Sequence, residues 1–450
     1  MKINISFIIL LTSKLIYSQS ANLDGDFAIG NGFSVGNTVS TMSLLNDNKI
    51  IISGLNFTNF NGTTLSSNII RLNSNGTFDT NLNNGSVSLV NSIAQQNDGK
   101  IIMAGNAGFN FYRIRRFNTD FSIDNTFSVG INSNNGFNEK INKILIQNDG
   151  KILVYGNFTA YSSTTTKQLT RLTNNGSLDT NFNTNIINIP AINLTNGVRY
   201  FSLLSNGKIL VATNSTPKLI RLNSDGTIDN TFTTSTVNNL VSTITEQSDN
   251  KILVSTTVGL NNGQLQRLNS DGSIDNTFTT YNITNALINE IHHLSTNKIL
   301  ISNFNGAPSS SRMVRLNSNG NIDSTFNIGT GFEDTISKII IQPDGKILAC
   351  GFFDSYNGVT KRGVLRLIGD STLDTNYFSK NHINIYPNPV KDILNFDKNN
   401  NLQYEIYDIT GKFVLNGNNN NVDVSAIEKG VYILKLIKDD NISTQKFIKE

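Results

Sequence analysis

The sequence has little cysteine and little charge, and it contains no tryptophan. Cys350 is the single cysteine, so no disulfide can form within the chain, and stability must come from packing and hydrogen bonds. Only 15% of the 450 residues are charged and the net charge is +3, without any Lys/Arg run that would predict a nucleic-acid partner. We expect this small excess to be spread evenly. No apolar stretch is long enough for a transmembrane segment.

Histidine is equally scarce, which argues against catalytic, cofactor and metal sites. Neighbouring residues of a strand point to opposite faces, so His292 and His293 cannot share a metal, and only His382 remains. Glycosidases need two carboxylates at a fixed separation, and the sequence nominates no such pair. Cys350 occupies a position that is Ser or Ala in other copies of the repeat described below, which predicts inert packing. We therefore predict no catalytic, cofactor or metal residues.

The first twenty residues have the pattern of a secretory signal peptide. Lys2 supplies the positive start, residues 7–11 form a short apolar core, and cleavage after Ser18 or Ser20 fits the pattern. Lys14 interrupts the apolar stretch, and a buried first strand is the alternative.

A lysine followed by two apolar residues recurs with a period of about 50 residues. The residue before each lysine is Gly or Asn, which tolerate the positive φ that a tight two-residue hairpin requires. Each copy therefore predicts a hairpin. The seven lysines are Lys49, Lys100, Lys151, Lys208, Lys251, Lys298 and Lys346.

A second anchor pairs an arginine with an aspartate eight positions later. In the fourth copy, a three-residue loop with Gly226 in the left-handed conformation places Arg221 opposite Asp229. The second and seventh copies have Phe121 and Ser371 at the glycine position, so we expect those two turns to differ. The pairs are Arg71–Asp79, Arg116–Asp124, Arg171–Asp179, Arg221–Asp229, Arg267–Asp275, Arg315–Asp323 and Arg366–Asp374.

Two hairpins in each unit give four strands per 50 residues, which predicts a seven-bladed β-propeller. The constant spacing favours a structural role for the Arg/Asp pairs over a ring of binding sites, and exposed pairs would contribute about 0–1 kcal/mol each. An aromatic or leucine three residues after most of the aspartates should pack between blades. A further Asp-x-x-Phe, Asp24 to Phe27, could close the ring by pairing with the last blade.

The loops Asn223-Ser-Asp-Gly-Thr also resemble calcium loops in part. Aligning Gly226 with the invariant glycine of an EF-hand loop places Arg221 and Phe232 at ligand positions, which neither side chain can fill. Turn-stabilising contacts of the Asn and Asp side chains explain these residues instead.

The segments Gln342-Pro-Asp-Gly-Lys-Ile-Leu348 and Arg221 to Asp229 resemble the delta-60 repeat of bacterial surface and secreted proteins. The resemblance recurs in register over about residues 37–378. It implies a propeller fold and no particular activity.

After Phe378 the pattern changes to short strands that predict a small β-sandwich over residues 383–450, following a propeller over 21–378 and a linker over 379–382. This stretch resembles the C-terminal sorting domain of type IX secretion substrates. Its motif residues are Pro387, Asn388, Pro389, Asp408, Gly411, Lys412, Gly430, Tyr432 and Lys446.

The resemblance implies a route and two partners. The chain would pass the periplasm and the outer membrane through the type IX machinery, a surface sortase-like protease would remove the module near residues 378–383, and the passenger would be secreted or displayed on the cell surface.

We accordingly expect a non-enzymatic propeller that binds an unknown extracellular protein or glycan through the loops between the two hairpins of each blade. Two alternatives remain open: a lectin-like glycan-binding propeller, and a propeller hydrolase or lyase that acts on polysaccharide.

Overall fold

The computed structural model describes residues 19–82, 89–106, 113–127, 136–193, 197–233, 236–304, 308, 312–369, 385–396, 403–408, 412–418, 421–438 and 441–450. The chain divides into two compact units, Met1–Asp370 and Ser371–Glu450. Most of the predicted signal peptide (residues 1–18) and the whole predicted linker lie outside the described residues.

The first unit is an all-β propeller of seven blades, each built on an antiparallel sheet. Strand β1 (Gln19–Ser20) comes before the blades. Blade 1 has β2 (Thr38–Leu44), β3 (Ile50–Leu55), a small hairpin of β4 (Asn59–Phe60) and β5 (Thr63–Thr64), then β6 (Ile69–Leu72) and β7 (Phe78–Asn81); blade 2 has β8 (Leu89–Gln95), β9 (Ile101–Asn106) and β10 (Ile114–Phe117). Blade 3 has β11 (Ile141–Ile146), β12 (Ile152–Gly156), a small hairpin of β13 (Ala160–Tyr161) and β14 (Thr164–Thr165), and β15 (Leu169–Leu172); two helices follow, α1 (Thr180–Ile187) and α2 (Pro190–Asn193).

The remaining four blades repeat this order. Blade 4 has β16 (Val198–Leu203), β17 (Ile209–Thr213) and β18 (Leu219–Leu222); blade 5 has β19 (Leu240–Glu246), β20 (Ile252–Val258), β21 (Asn262–Leu268) and β22 (Tyr281–Ile283). Blade 6 has β23 (Leu287–His293), β24 (Ile299–Phe304) and β25 (Met313–Leu316), with β26 (Phe326–Asn327) after it; blade 7 has β27 (Ile336–Ile341), β28 (Ile347–Gly351), a small hairpin of β29 (Ser355–Tyr356) and β30 (Val359–Thr360), and β31 (Val364–Leu367).

The helices were not predicted. In blade 3 the side chain of Asp179 accepts a hydrogen bond from the Phe182 backbone and caps α1, so the chain coils there instead of continuing as a strand. Neither α1 nor α2, the helices of the described part, is long and apolar enough to cross a membrane.

Both hairpins of a blade use the same three-residue turn. In the first hairpin the Leu45 N–H donates to the Lys49 carbonyl and the Asn48 N–H to the Leu45 carbonyl, at 2.9 Å each. The predicted two-residue hairpin is therefore wrong: one more residue fits because a positive-φ residue (Asn48, φ 62°) closes a bulged turn. The Asp47 carboxylate accepts the Lys49 N–H at 3.1 Å, which supports the turn.

The fourth strand is shorter than the sequence predicts. Blade 1 forms a regular outer strand, β7, whereas blades 2 to 6 have one bridge at that place, such as Leu222 with Ile228, and blade 5 adds the short strand β22 farther along β21. The outer segment leaves the sheet after this bridge because its next residues, Asp229 to Phe232, turn toward the neighbouring blade, with the Phe232 N–H bonded to the Asp229 carbonyl at 3.2 Å.

The antiparallel order of the strands defines two faces of the propeller. The turns between the first and second strands and between the third and fourth strands lie at one end, which we call the turn face. The loops between the second and third strands and the linkers between blades lie at the other end, which we call the loop face.

The inner strands close a ring, and the N-terminal segment makes the joint. Strand β27 of blade 7 contacts β2 of blade 1. Leu23 forms the outer bridge of blade 7 with Leu367, and the Asp24 N–H donates to the Arg366 carbonyl at 2.9 Å. Strand β1 also pairs in parallel with β26. The hypothesis that Asp24 to Phe27 completes the last blade therefore agrees with the structure.

The second unit contains two antiparallel sheets with one shared hydrophobic cluster. One sheet has three strands: β32 (Ile385–Tyr386), β33 (Ile393–Phe396) and β36 (Asn421–Asp423). The other has four strands: β34 (Gln403–Asp408), β35 (Phe413–Gly417), β37 (Gly430–Lys438) and β38 (Asn441–Lys449). Leu394 and Phe396 of the first sheet pack with Ile406, Leu434 and Phe447 of the second.

The Asp24 carboxylate forms ion pairs with buried Arg366 and half-buried Lys346. Replacement of Asp24 by alanine should therefore destabilise the propeller by about 3 kcal/mol, because both cations lose their carboxylate partner. Asp26→Ala, two residues along and exposed, is the control. Denaturant unfolding of the full chain measures both variants. Equal unfolding free energies for the two variants would contradict the closure by Asp24.

Candidate functional site

Each blade contains an ion cluster of one aspartate, one arginine and one lysine, which we call the triad. The two sequence anchors thus meet on one carboxylate, and sequence analysis had found the Arg/Asp pair without the lysine. In blade 4 the Asp229 Oδ2 lies 2.6 Å from the Arg221 Nε and 2.7 Å from the Lys208 Nζ. The others are Lys49–Asp79–Arg71, Lys100–Asp124–Arg116, Lys151–Asp179–Arg171, Lys251–Asp275–Arg267, Lys298–Asp323–Arg315 and Lys346–Asp24–Arg366.

In the seventh triad Arg366 has a partner that the sequence analysis did not pair with it: its Nε lies 2.7 Å from the Asp24 Oδ2. The predicted partner, Asp374, lies outside the described residues. Asp24 occupies the place that the repeat aspartate holds in the other blades, next to the bridge of Leu23 with Leu367. No constant spacing of eight could reveal this partner, because 342 positions separate the two residues.

Most arginines and aspartates of the triads are buried and the lysines are half-buried, so the expected 0–1 kcal/mol for exposed surface pairs does not apply to them. The side chains of Arg221 and Asp229 are 8% and 4% exposed. Burial would raise the pKa of the Asp229 carboxyl group, but hydrogen bonds from Lys208, Thr231 and Arg221 hold it well below its usual range. The carboxylate therefore stays ionised at neutral pH.

In five blades the arginine of the triad also donates a hydrogen bond to a carbonyl in the turn of the next blade: Arg116, Arg171, Arg221, Arg267 and Arg366. Arg267 donates from Nη1 to the Ser318 carbonyl in the turn of the following blade at 2.6 Å. Its guanidinium lies over the ring of Phe278, 4.7 Å from the ring centre. The ring in turn packs against Gly320 of the following blade, where a Cβ would come within 3.0 Å of it. The predicted inter-blade packing of the aromatic residue is thus part of the triad.

Blade 2 makes the same turn as the others with Phe121 in place of glycine. Phe121 has φ 66°, and its N–H donates to the Asn118 carbonyl at 2.9 Å, so the predicted difference in this turn is wrong. The Phe121 ring fits at this turn because blade 1 has the smaller Leu82 where most blades have phenylalanine. That ring lies over the Arg71 guanidinium, 4.6 Å from the ring centre. Ser371 of the seventh copy lies outside the described residues.

A different set of polar residues meets at the centre of the ring, near the loop face. These five residues, the central polar cluster, lie on four inner strands: Lys143, Tyr200, Glu290, His292 and Lys338. The Lys143 Nζ donates to the Tyr200 hydroxyl at 2.6 Å, and the Lys338 Nζ to the Glu290 Oε1 at 2.5 Å. The Glu290 Oε2 also accepts the Ile339 N–H at 2.7 Å and lies 3.1 Å from the His292 Nε2.

The charges in this cluster set its protonation states. Burial would raise the pKa of Glu290, but the charge of Lys338 and the hydrogen bond with His292 lower it to about 2. The pKa of Tyr200 is lowered against the effect of burial, chiefly by the charge of Lys143. The charge of Lys338 on blade 7 also lowers the pKa of Tyr200 on blade 4.

The position that Lys143, Tyr200, Glu290 and Lys338 share follows a bulge in the inner strand, where the register with the second strand shifts. The other blades have Thr41, Ser92 and Thr243 there, so this position changes along the ring while the triads do not. Sequence reasoning missed the cluster. The signal was present in Glu290 and His292, which are two residues apart on a strand and so share a face.

Of the residues that sequence analysis weighed for chemistry, His292 belongs to the central polar cluster, whereas His293 and Cys350 lie elsewhere. His293 points away from His292, into a cleft of about 490 Å³ that Gln247, Asp249, Arg267 and Asn297 also line. Cys350 is fully buried, and burial raises the pKa of its thiol. In the described part of the chain, no three His, Cys, Asp or Glu side chains are grouped so that they could hold a metal ion.

Several of the sorting-motif residues hold the second unit together. The Asn388 side chain bridges to β38, with Nδ2 3.2 Å from the Lys446 carbonyl and Oδ1 2.9 Å from the Ile448 N–H. Pro387 and Pro389 on either side of it follow cis peptide bonds.

Two further motif residues stabilise turns of the second unit. The Asp408 Oδ1 accepts the Lys412 N–H at 3.0 Å, and the Tyr432 hydroxyl donates to the Glu428 carbonyl at 2.8 Å. Lys412 and Lys446 remain exposed, Gly430 begins β37, and Gly411 lies outside the described residues.

Substitution of Leu82 and Phe121, singly and together, should show that each residue compensates for the other. Leu82→Phe alone should destabilise the propeller by about 1–3 kcal/mol, because a second ring meets Phe121. Adding Phe121→Gly should recover most of this loss by restoring the arrangement of the other blades. Unfolding free energies of the single and double variants form the cycle, and additive effects would contradict the compensation.

The buried carboxylates should make stability fall in acid. Because the pKa of each triad aspartate is lowered in the folded state, its contribution is present above the unfolded pKa of about 3.9 and is lost as the pH falls below it. Asp229→Asn should be less stable at neutral pH and should lose less stability between about pH 5 and pH 3. Urea unfolding measures this, with the exposed turn variant Asp98→Asn as control. If Asp229→Asn loses as much stability in acid as the wild type, the pKa of this carboxyl group is not lowered in the folded protein.

The similarities of the chain to solved structures are remote. Among solved structures, the chain is similar to PorZ, a surface component of the type IX secretion system of Porphyromonas gingivalis, with 12% identity, 94% of this chain and 53% of that chain covered and a TM-score of 0.31. It is similar to YCF48 from Cyanidioschyzon merolae with 9% identity, 75% and 98% coverage and a TM-score of 0.44. For a puromycin hydrolase the values are 8%, 92%, 62% and 0.46. These similarities are too weak to support a functional argument, and no curated protein matches the chain.

Family models give the clearer result. A model described as a β-propeller domain of unknown function, DUF5122, which is a close equivalent of the delta-60 repeat, matches seven segments that make up more than half of the chain: 45–82, 96–127, 147–182, 204–232, 247–278, 294–326 and 342–377. A secretion system C-terminal sorting domain matches residues 384–450 and indicates export by type IX secretion to the cell surface or the extracellular space. The chain therefore belongs to the DUF5122 β-propeller family and ends in a type IX sorting domain.

Proposed function

We propose that this protein is a non-enzymatic scaffold that binds or adheres to an extracellular protein or glycan through its loop face. The proposal rests on one contrast. The turn face repeats the same triad in all seven blades, as a frame requires, whereas the loop face and the centre differ from blade to blade. Variable residues on a rigid repeated frame are typical of binding surfaces.

The loop-face end of the second strand illustrates this variation. The seven blades present Leu55, Asn106, Asn157, Asn214, Thr257, Phe304 and Phe352 at this position. Leu55 and Phe352 are 40% and 47% exposed, so blades 7 and 1, which are neighbours in the ring, offer apolar contact area. The longer loop of Thr159 to Gln168 adds the hairpin of β13 and β14 on the same face.

The carboxylates of the described residues support the non-enzymatic assignment. The triad aspartates are ionised and each is held by two cations. Glu290 contributes the one carboxylate of the central polar cluster, and its pKa of about 2 prevents it from acting as a general acid at neutral pH.

The export route completes the proposal. An N-terminal signal peptide would take the chain to the periplasm, the type IX machinery would carry it through the outer membrane, and a sortase-like surface protease would remove the sorting domain near residues 378–383. The propeller would then be either displayed or released.

A polysaccharide lyase or hydrolase is the second candidate, and the centre of the ring favours it. Tyr200 has a lowered pKa beside Lys143 and could exchange a proton with a substrate. Incubation of the full chain with a polysaccharide panel, followed by reducing-end and unsaturated-product assays, tests this activity. Turnover that is lost in Tyr200→Phe would replace the scaffold proposal.

Binding through the loop face should depend on its apolar residues. Leu55→Asn with Phe352→Asn introduces the residue that blades 2, 3 and 4 already have, so folding should be unaffected while binding to protein and glycan arrays or to whole cells weakens several-fold. Ile322→Asn, which removes a 61% exposed apolar residue beside a turn, is the matched control on the turn face. Loss of binding only in Ile322→Asn, or no binding by the wild type, would contradict the proposal.

A further inference from the structure

Outside the triads, the turn face of the propeller carries mainly acidic residues and the loop face mainly basic ones. This differs from the expected even spread of charge. Nine acidic residues outside the triads lie in or beside the turns of the turn face: Asp47, Asp98, Asp120, Asp149, Asp225, Glu246, Asp249, Asp271 and Asp344. Ten basic residues outside the triads lie at the loop-face ends of inner or third strands: Arg113, Lys140, Lys143, Lys167, Arg199, Lys218, Arg312, Lys338, Lys361 and Arg362. The small net charge of +3 hides this separation.

The turn chemistry explains the separation. An acidic or amide side chain supports each three-residue turn by accepting a backbone N–H two residues on, as Asp98 does for Lys100 at 3.1 Å. These turns lie on the turn face, so the free carboxylates collect there. Each triad adds one net positive charge to that end, which offsets most of the nine acidic charges and leaves the basic excess on the loop face.

The basic excess is concentrated in blades 2 to 4, which we call the cationic sector. Six of the ten cations belong to this sector: Arg113, Lys140, Lys143, Lys167, Arg199 and Lys218. Glu139 is the one acidic residue that the described part of the chain places there on the loop face. The acidic residues Glu290, Glu333, Asp334 and Asp354 lie on blades 6 and 7 instead.

The hydrogen-bond partners of these cations also differ between the cationic sector and blades 6 and 7. Arg199 donates to the Val241 carbonyl at 3.3 Å and to the Asn214 Oδ1 at 3.2 Å, and the Lys218 Nζ to the Asn214 carbonyl at 2.6 Å. These acceptors are neutral, as are those of Lys143.

Three of the four cations of blades 6 and 7, namely Arg312, Lys338 and Arg362, have carboxylate partners instead, whereas Lys361 donates to a backbone carbonyl. Lys338 pairs with Glu290 at 2.5 Å, and Arg362 has its Nε 3.6 Å from the Asp354 Oδ1. A neutral partner orients a cation without cancelling its charge, so the cationic sector keeps a positive potential.

We propose that the cationic sector binds an acidic polysaccharide through its carboxylate or sulfate groups. This inference rests on the proposed binding function and names its ligand class. Six cations spread over three neighbouring blades match a chain with repeated negative charges better than a single small anion. The protein is exported to the cell surface or beyond, where such polysaccharides carry carboxylate and sulfate groups.

Binding of the full chain to immobilised alginate and dextran sulfate, with neutral dextran as reference, tests the inference. We expect binding to both acidic polymers, weakening as salt rises, and little binding to dextran. Lys140→Gln with Lys167→Gln and Lys218→Gln should lower the affinity by about tenfold at low salt. Lys143 stays in place because it holds Tyr200.

The chain offers a matched control for one of these substitutions. Lys218 and Lys361 both lie just before a third strand, and both donate Nζ to a backbone carbonyl, at 2.6 Å and 2.7 Å. Lys218→Gln should weaken binding, whereas Lys361→Gln, on blade 7, should leave it near the wild-type value. Equal losses in the two variants would overturn the placement of the site.

Two further outcomes would overturn the ligand class. Tighter binding to a single-stranded DNA of matched charge than to the acidic polysaccharides would assign the sector to nucleic acid. Equal binding to dextran and dextran sulfate would show a neutral glycan site, in which case the scaffold function stands and the cationic inference fails. Failure of the scaffold function itself would appear in the loop-face variants Leu55→Asn with Phe352→Asn.

Discussion

A buried aspartate shared by an arginine and a lysine is the interaction on which the propeller depends. Removing such charges from water costs several kcal/mol per ion, and the cost is offset only where geometry and further hydrogen bonds are good. The triads meet this condition: each carboxylate has both cations, each arginine covers an aromatic ring, and five of the arginines also bond the next blade. One cluster therefore fixes the register of a hairpin and the joint between two blades.

This arrangement separates the frame from the variable surface. The triads and their turns lie at one end of every blade, so the opposite end can change without disturbing them. Phe121 and Leu82 show how strictly the frame is kept: where one ring is missing, a ring from the neighbouring turn lies over the same arginine. The loop face has no such constraint and differs in loop length, charge and apolar area.

Sequence reasoning found much of the frame because the frame repeats. Seven copies of two anchors gave the blade number, the hairpins and the positive-φ positions, and Asp24 to Phe27 suggested the closure. The lysine of the triad was missed because its partner lies 21 residues or more away along the chain, across two strands. The central polar cluster was missed for the opposite reason: Lys143, Tyr200, Glu290 and Lys338 share a position but not a residue type, so no repeat marks them.

In the seventh triad Asp24 forms ion pairs with Lys346 and Arg366, so the N-terminal segment can take its final position only after the last blade has folded. Bringing together groups 342 positions apart costs chain entropy that no local contact repays in advance. Until blade 7 has folded, Asp24 lacks Arg366 and Lys346, and the surface of β2 that contacts β27 stays exposed. A chain that is threaded through a membrane from one end would therefore stay an open stack of blades for most of its passage, and would become a sealed ring in a single late event.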